Sequence, residues 1–188
     1  MLRKTATLAS VCALLTGFTV AGTASAAAPS GESRAATFAA QAHKEGLTDA
    51  DAAALQRRVD GYLTTMGGKQ VAANKIDLGG GSSVVLTLPG EKRARELTGT
   101  KRILDSCDSK TFCAFQNSQW WGDQIQMYRC DDYIIPWTTI GSWINNQTTG
   151  TVAQFKDNTA TVRWVDGGAF AQDDTADWGW VLFVNNCR

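Results

Sequence analysis

Residues 107–130, CDSKTFCAFQNSQWWGDQIQMYRC, hold the clearest structural pattern in this sequence of 188 amino acids. Side chains alternate between two faces over residues 112–117 and again over residues 124–129, which is the pattern of β-strands. Asn117 and Gly122 interrupt the alternation between the two runs. The segment therefore predicts two antiparallel strands joined by a turn, and it contains three of the five cysteines.

Strand patterns continue from Cys130 to the C-terminus and are separated by turns rich in Asn, Asp and Gly. Many short strands at regular spacing, with no helical periodicity among them, are typical of an antiparallel sandwich. All seven tryptophans lie at or after Trp120, and their rings supply buried area that a domain of about 80 residues needs. We therefore expect an all-β sandwich over residues 107–188. Its further predicted strands are 133–135, 142–144, 151–155, 161–165 and 181–184.

The preceding part of the chain differs in composition, because residues 27–105 are rich in alanine and contain no cysteine. Residues 27–90 predict a small α+β module of two helices and one β-hairpin. The second helix is the better marked, since Thr48 is suited to be its N-cap and an apolar stripe includes Leu55 and Val59. The predicted elements are a helix from Ser33 to Lys44, a helix from Thr48 to the Gly67-Gly68 stop, and hairpin strands over 71–78 and 83–88.

Residues 91–106 carry paired basic sites at Lys92-Arg93 and Lys101-Arg102. A basic and polar stretch of this kind is either a solvated linker or a cleavable junction. We favour a linker between two separate folding units. Cleavage there would make residues 27–90 a removable prosegment.

Residues 1–26 have the layout of an export signal, with two basic residues at the start, an apolar segment over 7–21 and a small-residue cleavage site. We expect cleavage after Ala26 and secretion of the mature chain. The alternative is a lipoprotein anchor at Cys12, which the preceding residues disfavour because they lack the usual leucine. The apolar run is also too short for a mature membrane span.

Cleavage leaves four cysteines in an exported chain, and an even number favours two disulfides. If the strands of residues 107–130 pair as a hairpin, Cys107 approaches Cys130, which leaves Cys113 for Cys187. The other two connectivities stay open at this point. Zinc is the competing interpretation, but no cysteine or histidine pair has metal-ligand spacing. We expect no metal and no cofactor.

The charge balance of the predicted sandwich is mildly acidic, with five Lys or Arg against nine Asp from Cys107 onward. Such a surface does not favour nucleic acid or anionic lipid. We therefore expect no binding to nucleic acid or membranes. We also expect a monomer. Catalysis is also disfavoured, because the only histidine, His43, lies outside the predicted sandwich and the cysteines are expected to be oxidised.

Two segments resemble known proteins. FCAFQNSQWWG, residues 112–122, resembles the opening hairpin of the βγ-crystallin-like fold, in which an aromatic strand runs into a tyrosine or tryptophan corner followed by glycine. SWINNQTTGTVAQFKDN, residues 142–158, is similar to small exported actinobacterial proteins grouped with the streptomycete metalloproteinase inhibitor, peptidase inhibitor family thirty-six. The resemblance covers residues 107–188 and implies a Greek-key sandwich that inhibits an extracellular protease. Residues 68–97 also resemble an N-terminal module attached to such domains.

Crystallin-type motifs often bind calcium, which needs several oxygen ligands held together. The expected motif positions, residues 137–142 and 178–183, lack the amide and carboxylate side chains that such a site uses. Residues 145–150 fit most of the pattern but fall after the expected strand. We therefore interpret Asn145 and Asn146 as turn residues and expect no calcium site.

Two loops are candidates for the protease-binding segment, since an inhibitor presents a rigid, extended loop to the cleft of its target. The first lies between Cys107 and Cys113, and the second follows Cys130. Neither carries a residue that identifies the target. The candidate residues are Asp108, Ser109, Lys110 and Thr111 in the first loop and Asp131, Asp132 and Pro136 in the second.

The alternative function is a non-catalytic module that binds cell-wall or other polysaccharide. Exposed tryptophan rings stack on sugars, and on a strand Trp178 and Trp180 would point the same way. The adjacent rings of Trp120 and Trp121 cannot both point inward on a regular strand, so one is expected at a turn or at the surface. Core packing is the competing interpretation for all four rings, because a small sandwich needs aromatic filler.

Overall fold

The computed structural model describes residues 31–98 and 106–188. These ranges contain two α-helices, eleven β-strands and one 3₁₀ helix. The predicted export signal with its cleavage site at Ala26, and the basic pair Lys101-Arg102, lie outside the described residues. The elements are α1 (Gly31–Lys44), α2 (Asp49–Met66), β1 (Lys69–Ala72), β2 (Lys75–Gly79), β3 (Ser82–Val85), β4 (Thr111–Asn117), β5 (Trp121–Met127), β6 (Asp132–Ile134), β7 (Ile140–Asn146), β8 (Gln154–Lys156), β9 (Val162–Val165), β10 (Gln172–Asp177), the 3₁₀ helix Trp178–Trp180 and β11 (Phe183–Asn185).

Helix α2 begins where the sequence predicts. The Thr48 side chain accepts a hydrogen bond from the backbone N–H of Asp51 at 3.2 Å, which satisfies one of the donors at the helix start. The predicted apolar stripe faces the core, where Leu55 and Val59 are buried. Neither α-helix in the described ranges has the length and apolarity needed to cross a bilayer.

The described strands form two antiparallel sheets, as the predicted all-β layout requires. One has seven strands in the order β1-β2-β3-β5-β4-β7-β10, and the other has four in the order β6-β11-β8-β9. The predicted hairpin is β4 and β5, in which Ala114 lies opposite Ile125. Aromatic rings from both sheets meet in the core, since Phe155 of β8 lies edge-on to Phe112 and Trp143 at centroid distances of 6.0 and 5.7 Å.

The N-terminal strands belong to the same sheet as the cysteine-containing hairpin. Val84 of β3 lies opposite Ile125 of β5, and all four residues of β3 are buried. The prediction of two separate folding units, divided at residues 91–106, is therefore wrong for the sheet. If the two parts separated, β5 would present an unpaired edge, and the apolar side chains of β3 would lose their cover. Local patterns could not reveal this pairing, because it joins segments about 40 residues apart in the chain.

The N-terminal hairpin also differs in detail, because it is a three-stranded meander of β1, β2 and β3. The first predicted strand, 71–78, is broken by a turn at residues 73–74. The segment after the meander lies against the hairpin turn of β5, where Lys92 O accepts a hydrogen bond from Gly122 N at 2.8 Å and Arg93 forms a bridge with Gly122. The first part of the predicted linker is thus held on the sheet.

A buried carboxylate fastens α2 to the seven-stranded sheet. Asp123 of β5 is 1% exposed, and its side chain accepts hydrogen bonds from Arg58 and Tyr62 of α2. The same carboxylate accepts from the backbone and the hydroxyl of Thr87 at 2.8 and 3.0 Å. A buried charge is tolerated only when it is paired and hydrogen-bonded in this way. Helix α2 and the sandwich therefore share one polar anchor as well as one core.

The C-terminal strands lie near the predicted positions, except at β10 and at the residues after it, and the strand predicted at 151–155 is the shorter β8 (Gln154–Lys156). Strand β10, QDDTAD, has no apolar run, and its only buried residue is Ala176. It nevertheless pairs with β7 along the edge of the sheet, where Asp173 lies opposite Trp143. Residues 178–180 form a 3₁₀ helix rather than the beginning of a strand, because the Asp177 carboxylate accepts a hydrogen bond from Gly179 N and caps the turn.

Candidate functional site

The predicted disulfide pairing is wrong, although all four cysteines are oxidised. The bonds join Cys107 to Cys113 and Cys130 to Cys187, with Cα–Cα distances of 5.7 and 5.4 Å. Strand β4 begins only at Thr111, so Cys107 precedes the strand and turns back toward Cys113. Cys130 follows β5 and meets the C-terminal segment, because β11 lies beside β6 in the other sheet.

The first disulfide closes a short loop on the protein surface. Asp108, Ser109 and Lys110 are exposed, and the Thr111 N–H donates to the Asp108 carbonyl at 3.1 Å across the turn. Lys110 has a positive φ of 67°. Thr111, in contrast, is 4% exposed as the first residue of β4, so it does not belong to the projecting part of the candidate loop. Asp108–Lys110 is called the disulfide loop below.

Two hydrogen bonds to β7 hold the base of the disulfide loop. The Lys110 N–H donates to the Asn146 carbonyl at 2.7 Å, and the Asn146 side-chain amide donates to the Cys107 carbonyl at 2.7 Å. The loop is therefore held by a covalent bond and by a neighbouring strand. Its backbone makes a tight turn, whereas the sequence-based expectation was an extended segment.

The second predicted loop begins with a strand of the smaller sheet, because β6 covers Asp132–Ile134 and ends before Pro136. Asp132 lies in β6, where its carboxylate accepts from Lys156 at 2.8 Å and from Asn185 at 2.8 Å. The hydrogen bond from Lys156 lowers the pKa of Asp132. Asp131 is ion-paired with Arg129 at 2.6 Å. Asp131 and Asp132 are thus both ion-paired, and the third candidate residue in this loop, Pro136, is exposed. Its neighbours Ile135 and Trp137 are buried. This segment is thus unsuited to enter a protease cleft.

The four predicted stacking tryptophans have different positions. Trp178 is 1% exposed and its indole N–H donates to the Phe115 carbonyl at 2.8 Å, so it is a core residue. Trp180 is 40% exposed. The two rings do not form the predicted pair, because a 3₁₀ helix turns successive side chains in different directions whereas a strand repeats every second residue.

Trp120 lies in the turn between β4 and β5, as the sequence predicted for one of the two rings, and Trp121 is the first residue of β5. Trp120 has a φ of 61° and packs beside the first disulfide and Phe115. The Nζ atom of Lys92 lies 4.5 Å from the centroid of the Trp121 ring, in a cation–π contact. Both rings are therefore already engaged, and of the four predicted residues only Trp180 is exposed.

A ring that the sequence analysis did not single out lies near Trp180. Trp164 of β9 is 44% exposed, and both rings line a cavity of about 180 Å³. Asp173 and Asp177 of β10 line the same cavity. The signal in the sequence was weak, because VRWV reads as an ordinary strand and the pairing of β9 at the sheet edge cannot be read locally.

No family model, curated protein or solved structure matches this chain. The resemblance to βγ-crystallin-like proteins and to peptidase inhibitor family thirty-six therefore stays a prediction. What the structure establishes is an architecture of two antiparallel sheets with two helices N-terminal to the strands.

Asn145 is a buried residue of β7 and not the turn residue that the sequence suggested. Its side-chain amide donates to the Asp166 carboxylate at 2.6 Å and to the Thr151 carbonyl at 3.1 Å. Asp166 also accepts from the Ala153 N–H at 2.8 Å, so this network fastens the segment between β7 and β8. Within residues 31–98 and 106–188, no group of three or more His, Cys, Asp or Glu side chains is placed to hold a metal ion.

Proposed function

We propose that this protein is an exported inhibitor of an extracellular peptidase and that the disulfide loop is the segment that binds the protease cleft. The observation that carries the proposal is the closure of three exposed residues by the Cys107–Cys113 bond. The resemblance of residues 142–158 to peptidase inhibitor family thirty-six supports the same function, and so does the export-signal pattern of residues 1–26. We place the chain among βγ-crystallin-like Greek-key sandwiches on the resemblance alone.

Closure of the loop favours inhibition for two physical reasons. A segment that is already ordered loses little conformational entropy when it binds, so more of the contact energy appears as affinity. If the protease cuts a peptide bond between Cys107 and Cys113, the disulfide keeps the two new ends together at a high effective concentration. Product release is then slow, and the enzyme stays occupied.

The conformation of Lys110 specifies how the loop would bind. Its φ of 67° is the left-handed conformation, whereas a substrate lies extended in a protease cleft. The disulfide loop therefore blocks the cleft as a compact turn and does not thread through it as a substrate does. Lys110 is exposed and supplies the loop's positive charge, so it is the residue from which we expect most of the binding energy.

The test is a titration of a metalloprotease such as thermolysin, and of a subtilisin-type serine protease, with the secreted protein. Stoichiometric loss of activity of either enzyme is the expected result. Lys110→Gly removes the side chain and keeps a residue that tolerates positive φ, and we expect it to weaken inhibition about 30-fold. Lys69→Ala removes an exposed lysine from the far edge strand β1 and should inhibit as the unaltered protein does.

Two results would count against this function. No inhibition of either enzyme at micromolar protein would remove the support for a protease inhibitor. Inhibition that is the same for Lys110→Gly and the unaltered protein would leave an inhibitor but exclude the disulfide loop as its binding segment. Mass spectrometry of the complex gives an independent check, because a loop that blocks the cleft as a compact turn should stay uncut between Cys107 and Cys113.

A further inference from the structure

A small aromatic cavity lies between the edge strand β9 and the 3₁₀ helix Trp178–Trp180. Its volume is about 180 Å³. Five aromatic residues line it, together with Asp173 and Asp177. The cavity is remote from the disulfide loop in the sequence.

The aromatic walls are fixed by packing, although two of them reach the surface. Trp164 lies edge-on to Phe155 at a centroid distance of 4.8 Å and contacts Trp143 at 5.7 Å. Trp178 is held by the hydrogen bond of its indole to the Phe115 carbonyl. Trp164 and Trp180 keep 44% and 40% of their surface exposed. The cavity is thus formed before any ligand binds, and it presents ring surface to solvent.

The two carboxylates are oriented by hydrogen bonds from the backbone. Asp173 accepts from the Thr175 N–H at 2.9 Å, and Asp177 accepts from the Gly179 N–H at 2.8 Å. Each of these bonds uses one carboxylate oxygen. In the described part of the chain, neither aspartate forms an ion pair with a lysine, arginine or histidine. Strand β10 itself has three aspartates and no basic residue, and the described residues that line the cavity include no lysine, arginine or histidine.

This combination of rings and charge favours a cation over a neutral ligand. The face of a tryptophan ring attracts an ammonium group, and desolvation strengthens the attraction. Sites for drug-sized ligands occupy about 300–1,000 Å³, so a cavity of about 180 Å³ fits only a small group. An oligosaccharide would instead need an extended row of exposed rings, which Trp120, Trp121 and Trp178 do not provide. An apolar ligand would leave both carboxylates unused.

We propose that the cavity lined by Trp164, Trp180, Asp173 and Asp177 binds an organic ammonium group. The rings contact its methyl or methylene surface and the carboxylates balance its charge. Two sources can supply this chemistry, a small soluble cation or a lysine side chain on the surface of another protein.

The experiment follows the indole N–H signals of Trp164 and Trp180 by NMR during titration of the full chain. Choline is the probe for a soluble cation, and Nα-acetyl-lysine methylamide is the probe for a protein lysine. The matched control is 3,3-dimethylbutan-1-ol, which has nearly the shape of choline and no charge. We expect saturable shifts of both indole signals with at least one cation, and binding of the neutral isostere that is weaker by about tenfold or more. Tighter binding of choline identifies a soluble cation, and tighter binding of the lysine analogue identifies a protein partner.

Three variants locate the site. Asp173→Asn with Asp177→Asn keeps the acceptors for the backbone N–H groups and removes both charges, and we expect about tenfold weaker binding of the preferred cation. Trp180→Leu removes a half-exposed ring, keeps apolar bulk and should weaken binding similarly. Asp174→Asn removes one charge from the same strand at a position that does not line the cavity, and it should change the affinity less than about twofold.

The proposal is overturned if neither cation shifts the indole signals, or if the neutral alcohol binds as tightly as choline. It is also overturned if N-acetylglucosamine oligomers shift these signals and the cations do not, because the cavity would then be a sugar site. If Asp174→Asn weakens cation binding as much as the double variant does, the cation responds to the overall charge of the strand, and a defined site at the cavity is ruled out.

Discussion

Replacement of Tyr62 by phenylalanine tests how strongly helix α2 is bound to the sheet. The Tyr62 hydroxyl donates to the Asp123 carboxylate at 2.8 Å and accepts from the Trp137 indole N–H at 2.7 Å. A hydrogen bond to a charged group contributes about 1.5–3 kcal/mol, and a buried donor left without a partner costs about 1–3 kcal/mol. A cavity of about 320 Å³ adjoins Tyr62, and water entering it would satisfy part of the loss. We therefore expect Tyr62→Phe to lower the free energy of unfolding by about 2–3 kcal/mol.

Urea unfolding followed by circular dichroism measures this change, and a thermal melt should show a decrease in Tm of about 5–10 °C. The matched control is Tyr128→Phe, because Tyr128 is 52% exposed and its loss of a hydroxyl should change stability by less than about 0.5 kcal/mol. If both variants unfold like the unaltered protein, the polar anchor contributes nothing measurable to the free energy of unfolding, and α2 is not held to the sheet by it.

Tyr62 also makes the free energy of unfolding depend on pH in the alkaline range. Burial, with the charge of Asp123, raises the pKa of Tyr62 above its ordinary value of 10.0. A group whose pKa is raised in the folded state makes its full contribution to stability below the pKa that it has in the unfolded chain, here pH 10. That contribution is lost as the pH rises above this value. The free energy of unfolding should therefore fall above pH 10 by up to about 1.4 kcal/mol per pH unit more than in Tyr62→Phe. Parallel curves for the two proteins would show that Tyr62 ionises equally in both states.

Three further changes have definite expected outcomes. Replacing both cysteines of the Cys130–Cys187 pair by serine should lower the free energy of unfolding by about 4 kcal/mol, and the same change in the Cys107–Cys113 pair should lower it by about 2 kcal/mol. The difference arises because the closed segments span 57 and 6 residues, and urea unfolding that gives the opposite order would contradict it. Gly141→Ala should lower the free energy of unfolding by about 3 kcal/mol or more, because the added carbon would overlap the Trp178 indole. Gly61→Ala, at an open position inside α2, should raise it by about 0.5–1 kcal/mol, and melting curves measure both changes. A chain that lacks both helices and β1–β3 should fail to fold as judged by near-ultraviolet circular dichroism, and a cooperative transition in that chain would support an independent sandwich.

The features that the sequence predicted correctly are those set by local chemistry. The Thr48 cap and the apolar stripe of α2 follow from side chains within a few turns of helix, and the β4–β5 hairpin follows from alternation on both sides of a turn. The features that it missed depend on distant contacts. The insertion of β3 beside β5, the Cys130–Cys187 bond and the pairing of the polar strand β10 all join segments that are far apart in the chain. The aromatic cavity was missed for the same reason, because Trp164 and Trp180 line one cavity only when the two sheets pack.

Strand β7 relates the two candidate sites to each other. Its last residue, Asn146, holds the disulfide loop, and its first residue, Ile140, lies opposite Asp177 of the aromatic cavity. Six steps of about 3.4 Å along a strand place these ends about 20 Å apart. Substitutions separated by more than about 10 Å usually have additive effects. Lys110→Gly and Trp180→Leu should therefore change protease inhibition and cation binding independently, and a protease bound at the loop should leave the cavity open to its cation. Coupling between the two activities in the double variant would mean that β7 or the sheet around it transmits a structural change.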